Sequence, residues 1–155
     1  MIRAIEAADR AVWEPLWAGY QAFYQRSIPA EVTIATWLRI RKGEVHGLLA
    51  SDDAGPALGL AHYLFHPATS TFGDNCYLPD LFVVPEARGK GIGRRLLEAV
   101  AGAAKAHGSA VLYWQTEEFN GPARRLYERV ARRSPFIRYQ MELDASQPDP
   151  RVRRG

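Results

Sequence analysis

Leu81-Phe82-Val83-Val84-Pro85-Glu86-Ala87-Arg88-Gly89-Lys90-Gly91-Ile92-Gly93-Arg94-Arg95-Leu96-Leu97 is the stretch on which the reading of this chain turns. A β-favouring apolar run, Leu81 to Val84, stops at Pro85 and a glycine-rich turn follows. Apolar residues then recur at Ile92, Leu96, Val100 and Ala104, at helical spacing. The pattern is strand, tight loop, helix.

Such a loop leaves the first backbone N–H groups of the helix without intrahelical acceptors, and Gly89, Gly91 and Gly93 put almost no side chain in front of them. The helix dipole and the charges of Arg88, Lys90 and Arg94 favour an anion there, with phosphate as the natural guest. Spacing narrows the choice. A nucleotide P-loop requires Ser or Thr after Gly-Lys, and Lys90 is followed by Gly91. The dinucleotide fingerprint G-x-G-x-x-G fails because Gly89, Gly91 and Gly93 alternate.

The pattern that fits is R-x-x-G-x-G, carried by Arg88, Gly91 and Gly93 behind an apolar strand. Downstream stands Asn120-Gly121-Pro122-Ala123-Arg124-Arg125-Leu126-Tyr127. In order and separation the two motifs resemble those of the GNAT superfamily of N-acetyltransferases. The resemblance implies an α/β domain with a mixed sheet of six or seven strands and four helices. Its central parallel strands, 75–84 and 110–115, are expected to splay so that the pantetheine arm of acetyl-coenzyme A enters between them.

The same resemblance assigns the pyrophosphate to Arg88, Gly89, Lys90, Gly91, Ile92, Gly93 and Arg94, with Arg125 adding charge. Backbone amides of Phe82, Val83 and Val84 are expected to meet the thioester and pantetheine, Asn120 to touch pantetheine, and Tyr127 to protonate or hold the coenzyme A sulfur. Leu112-Tyr113-Trp114 through Tyr139 is similar to a small branch that includes fungal histone- and D-amino-acid-acetylating enzymes. Members of that branch often form dimers through the C-terminal region, which implies a homodimer here.

Composition sets outer limits. A chain of 155 residues fits one domain with a substantial core. No apolar run reaches the roughly 18 residues of a membrane span. Met1 to Ile5 carry no signal-peptide h-region, so a cytoplasmic protein is expected. Cys76 is the lone cysteine, which excludes an internal disulfide, and it reads as strand packing rather than a nucleophile. His46, His62, His66 and His107 form no metal-ligand spacing with it, and no metal is expected. The net charge of +3 is small, Glu128 interrupts the arginines of 124–133, and no nucleic-acid partner is expected.

Taken in order, residues 2–6 read as a first strand and Asp9 as the cap of a helix from Arg10 to Tyr24 with a broad aromatic stripe. A second helix runs from Pro29 or Ala30 to Arg41, ended by Lys42-Gly43. Val45–Ser51 and Ala57–Phe65 form an antiparallel hairpin around 52–56. Asn75–Val84 is a strand in which Pro79 has to sit at a bulge or an edge. A third helix covers Gly91–His107, a strand Ala110–Gln115, a fourth helix follows Asn120, and Phe136–Leu143 reads as the last strand. The domain spans 1–143, with a disordered Arg/Pro tail, 144–155, expected beyond it.

Acetyl transfer needs a neutral amine. An alkyl ammonium with a pKa of about 10.4 leaves fewer than about one molecule in a thousand neutral at pH 7, so a nearby carboxylate is expected to help remove the proton. Asp80, just before the cofactor-facing strand residues, resembles the acidic position of polyamine-type enzymes, with Glu117 and Glu118 as alternatives. Where those enzymes commonly carry Glu before the Asp, this chain has Pro79. The expected activity is direct acetyl transfer from acetyl-CoA to a primary amine of a small molecule, amino acid or protein lysine. A non-catalytic acyl-CoA sensor is the alternative.

Overall fold

The computed structural model describes residues 1–52, 55–147 and 149. Its element order is β1 (Ile2–Ala4), α1 (Arg10–Phe23), α2 (Ala30–Lys42), β2 (His46–Ser51), β3 (Ala57–His66), β4 (Asn75–Val83), α3 (Ile92–His107), β5 (Leu112–Trp114) and α4 (Gly121–Val130). The strands form one sheet in sequence order, antiparallel from β1 to β4 and parallel between β4 and β5. Asp53 and Ala54 of the expected hairpin turn lie outside the described residues, as do 148 and 150–155 of the expected tail.

Two apolar cores flank the sheet. On one face α3 contributes Ile92, Leu96, Leu97, Val100 and Ala104 against Leu48, Ala61, Cys76 and Leu78. Leu96 and Val100 are fully buried, a contribution of roughly 1.5–3 kcal/mol each. On the other face Trp13, Leu16, Trp17 and Tyr20 of α1, with Trp37 and Ile40 of α2, cover Leu49, Leu60 and Phe82. The aromatic stripe of α1 is therefore mainly core. Gly19 lets α1 approach β4 closely: a Cβ there would lie 3.1 Å from the Phe82 ring.

The helix ends follow local chemistry. Gly43 and Gly108, both with positive φ, close α2 and α3 in the left-handed conformation that glycine adopts without strain. Asn120 caps α4, its side chain accepting from the Ala123 amide at 3.4 Å. Asp9 does not cap α1. Arg3 donates to its carboxylate at 2.6 and 2.7 Å, and the Glu6 amide donates at 2.7 Å.

Pro79 sits at a bulge. β3 advances from His62 to Leu64 while β4 runs from Asp80 back to Tyr77, so Leu78 and Pro79 together oppose Tyr63. The extra residue reverses the facing of the strand. Cys76 and Leu78 point into the α3 core, whereas Phe82, two residues beyond Asp80, belongs to the α1–α2 core.

The last strand is absent. Residues 136–143 make no sheet pairing, and Ile137, Tyr139, Met141 and Leu143 are exposed. Alternating polarity specifies two faces but supplies no partner, and these residues find none among the described residues of one copy of the chain. Among the described residues the sheet therefore has five strands where six or seven were expected.

Candidate active site

The start of α3 has the open amides that the sequence led one to expect. Gly91 occupies the N-cap position with φ of 77° and no side-chain cap, and Gly89 has φ of 76°. The first helical bond is donated by the Arg95 amide to the Gly91 carbonyl at 3.1 Å. The amides of Ile92, Gly93 and Arg94 thus have no helical acceptor. A Cβ at Gly89 or Gly91 would meet no atom within 4 Å, so the space above the turn is clear.

This turn opens onto a cleft of about 870 Å³, bounded by the end of α1, the second half of β4, the start of α3, and α4 with the loop before it. Phe82, Val83, Arg88, Gly89, Gly91, Ile92, Gly93, Arg94, Asn120, Arg125 and Tyr127 all line it, and Glu117 does too. Two of the expected ligand residues do not. Lys90 is exposed beside the cleft, and Val84 donates its amide to the Leu58 carbonyl at 2.9 Å. Glu118 also stays outside, its carbonyl accepting from Arg124 at 2.9 Å.

The cationic side chains are partly engaged. Arg88 Nε donates to the Val83 carbonyl at 3.1 Å and its guanidinium lies 4.5 Å from the Phe23 ring centre. Arg94 Nε pairs with Glu98 at 2.8 Å. An anion seated on the turn would meet the backbone amides first and these guanidinium groups as a flexible surround.

At the far side of the cleft stands Tyr127, its ring edge-on to Trp114 at 5.4 Å. Its hydroxyl forms no hydrogen bond with any described residue. Burial, and then the nearby Tyr24, push its phenol well above the ordinary tyrosine value. Tyr24 also lines the cleft, and Asn120 Nδ2 donates to the Tyr24 hydroxyl at 3.4 Å and to Thr116 Oγ1 at 3.3 Å. Asn120 therefore ties α4 to the end of α1 besides capping its helix.

Asp80 is not on the cleft lining. It lies opposite His62 in the β3–β4 ladder, with Oδ2 3.0 Å from His62 Nδ1. The imidazole is fully buried, and Trp13 Nε1 donates to its Nε2 at 2.9 Å. Tyr20 hangs over the same region: its hydroxyl donates to the Pro79 carbonyl at 3.4 Å and accepts from Arg26 Nη1 at 3.4 Å. Burial, with the Asp80 charge adding to it, raises the Tyr20 phenol far above its usual range. The Arg26 guanidinium also rests 4.4 Å from the Tyr24 ring centre.

Sequence reasoning missed His62 and Arg26 as members of this region, and reached Trp13 and Tyr24 only as parts of the first helix's aromatic stripe, some of whose rings were expected to face substrate. His62 is 18 residues from Asp80 and Trp13 is 49 from His62, so no local motif joins them. The one available signal was Pro79, whose bulge turns Asp80 toward them. Cys76 is fully buried, and that burial raises its thiol to about 11, which leaves it protonated at neutral pH. Among the described residues no group of three or more His, Cys, Asp or Glu could hold a metal ion, and no helix is long and apolar enough to cross a membrane.

Comparison with known proteins agrees with this geometry. Residues 9–131 match the acetyltransferase (GNAT) family. The D-amino-acid N-acetyltransferase HPA3 of Saccharomyces cerevisiae is 37% identical over 143 residues, covering 90% of this chain and 89% of that protein. The uncharacterized N-acetyltransferase YhfO of Bacillus subtilis is 32% identical over 93% of this chain and 98% of its own. Among solved structures, that of a probable acetyltransferase superposes with a TM-score of 0.85 at 22% identity, covering 93% of this chain and 98% of that one. The chain belongs to the GNAT acetyltransferase family and is an N-acetyltransferase that draws its acetyl group from acetyl-CoA.

Proposed function

We propose that the cleft seats acetyl-CoA with its pyrophosphate on the Gly89–Arg94 turn, its pantetheine arm along Leu81–Val83, and its sulfur at Tyr127. The observation that carries this is the uncapped α3 N-terminus with clear space above two left-handed glycines, opening into a cleft that is also lined by Tyr127, whose hydroxyl has no partner among the described residues. Pairing of β4 with β5 stops at Leu78 and Trp114, which supports the parting of these strands that the arm requires.

The amine nitrogen attacks the thioester carbonyl carbon directly. The C–N bond forms, the C–S bond breaks with its electron pair going to sulfur, Tyr127 supplies a proton to the departing thiolate, and the proton shed by the acylated nitrogen returns the phenol to its neutral form. Asp80 binds the incoming ammonium and takes its proton, directly or through a water. No covalent enzyme intermediate is required.

An amino acid is the acceptor class that the surroundings favour. Asp80 offers an anion for the α-ammonium, and Arg26, on the Tyr20 and Tyr24 rings, offers a cation for the carboxylate. The substrate named for the yeast relative supports the same choice. Acetyl-CoA incubated with pools of D- and L-amino acids, simple amines and basic peptides, with products identified by mass spectrometry, tests it. Amino-acid products are expected, and acetylation of simple amines or peptides alone would overturn the assignment.

A second copy of the chain is the natural cover for the exposed Ile137, Tyr139, Met141 and Leu143, which favours a homodimer through this segment. A cytoplasmic setting agrees with the free, buried Cys76.

A further inference from the structure

We propose that His62 is a positioning residue for Asp80, held by Trp13 as the neutral Nδ1–H tautomer so that it orients the carboxylate without bringing a positive charge to the site. The inference rests on Asp80 being the carboxylate that meets the amine.

An indole N–H can only donate, so at 2.9 Å from Trp13 Nε1 the Nε2 atom of His62 has to accept. A ring that accepts at Nε2 carries no proton there and is not an imidazolium. Its single N–H is then on Nδ1, where it faces Asp80 Oδ2 at 3.0 Å and donates to it. Trp13 is itself immobile, fully buried with ring centres 6.0 Å from Trp17 and 5.1 Å from Trp37. The tautomer is fixed from behind by packing.

The strand register makes the arrangement rigid. His62 and Asp80 are directly opposed on β3 and β4, and the bulge at Leu78–Pro79 turns Asp80 onto the face where His62 and Trp13 lie. One carboxylate oxygen is held, while no described residue donates a hydrogen bond to Oδ1. The Asp80 side chain keeps 15% exposure and His62 only 1%. An amine therefore reaches the carboxylate and not the imidazole.

Neutrality matters to the reaction. An imidazolium here would neutralise Asp80 and repel the ammonium that Asp80 has to receive. The other titratable or charged groups near this pair are Tyr20 and Tyr24 of α1 and its end, with Arg26 just beyond. The packed rings Trp13, Trp17 and Trp37 are not titratable, and β2 presents Gly47 opposite His62.

The test joins spectroscopy to kinetics. In ¹⁵N-histidine-labelled wild-type protein, His62 should show the Nδ1–H tautomer throughout the neutral pH range; an Nε2–H or imidazolium signature overturns the proposal. His62→Gln keeps an acceptor for Trp13 but withdraws the donor from Asp80, and should lower kcat/KM for the amine roughly ten- to a hundredfold, the worth of a hydrogen bond to a charged group, with KM for acetyl-CoA unmoved. His62→Asn, whose amide reaches the Nδ1 position, should restore most of that loss. Trp13→Phe frees Nε2 for a proton, and its rate should fall more steeply below neutral pH than that of wild type. A folded His62→Gln enzyme with wild-type kinetics overturns the proposal; should that variant fail to fold, the wild-type tautomer decides. Asp80→Asn separates the layers: a slow Asp80→Asn beside an unaffected His62→Gln removes only the role of His62, and an unaffected Asp80→Asn removes both.

Discussion

Replacing Tyr127 by Phe deletes one oxygen from the cleft, and the structure sets both what should change and what should not. The hydroxyl makes no hydrogen bond within the described chain, while the ring is held by Trp114 at 5.4 Å and by the α3 core. Stability should stay within about 0.5 kcal/mol, a melting shift of roughly 2 °C or less for a domain of this size. The reaction should respond differently. Burial and Tyr24 hold the phenol above its ordinary value, so at neutral pH it retains the proton that the leaving thiolate requires. Loss of a general acid lowers rates by about 10²–10⁴-fold, or roughly 2.7–5.4 kcal/mol of barrier.

The assay is steady-state release of free thiol at saturating acetyl-CoA, with an acceptor taken from the product screen. The expected result is a fall in kcat of about a hundredfold or more, with KM for acetyl-CoA and the melting temperature unchanged. The sign of the shift adds a second expectation. A raised pKa keeps the phenol protonated through the usual tyrosine range, so kcat of the wild-type enzyme should not decline on its account up to about pH 10. A Tyr127→Phe enzyme within about threefold of wild type would refute the general-acid assignment. A loss of rate matched by a large loss of stability would refute the claim that the hydroxyl is structurally idle.

Gly91→Ala places a methyl where φ is 77° and no atom lies within 4 Å; stability should fall by roughly 1–2 kcal/mol from the left-handed backbone alone, and calorimetry should show acetyl-CoA binding weakened about tenfold or more. Arg26→Ala should raise KM for amino acids while leaving that for acetyl-CoA unchanged; equal KM values in mutant and wild type would remove Arg26 from acceptor binding. The bond from Arg3 holds Asp9 down at about 2, so its contribution is complete above the unfolded value near 3.9 and is lost as pH falls from about 4 to 2. Because the Arg3 side chain is 40% exposed, screening reduces this contribution to about 1 kcal/mol, and denaturant melts at about pH 6 and about pH 2 should converge for Asp9→Asn and wild type only at the lower pH. Ile137→Glu with Met141→Glu should yield monomers by light scattering if a second copy covers that row, with wild type a dimer.

The strand, turn and helix at 81–97 were legible because independent signals coincide there: an apolar run, a proline stop, glycines and a helical period all within one local stretch. That Asn120 and Tyr127 line the same cleft as the α3 turn was legible through the second motif. Phe136–Leu143 misled for a physical reason, since alternation records which side chains share a face, whereas a strand exists only where another strand accepts it. Asp9 misled similarly. An Asp before a helix is a common cap, but Arg3 on β1 offers both carboxylate oxygens a bidentate bond between two full charges, and the Glu6 amide adds a third donor.

Pro79 shows how a local feature has a distant consequence that local reading does not reach. A proline inside a strand signals a bulge, and a bulge implies that residues on either side of it face opposite ways. Which partners the re-aimed Asp80 then meets depends on the β3–β4 register and on the seat of α1, both set by non-local packing. Without the extra residue Asp80 would share the face of Cys76 and Leu78, where a carboxylate would be buried among Leu96 and Val100 with no donor to receive it. With it, the same side chain meets a neutral imidazole on one oxygen and leaves the other open to an amine. Pro79, which has no amide to donate to the ladder, occupies the bulge from which Asp80 takes that direction. Because the extra residue and not the proline ring sets that facing, Pro79→Glu should leave turnover through Asp80 close to wild type, and a lower kcat with acetyl-CoA binding intact would refute this.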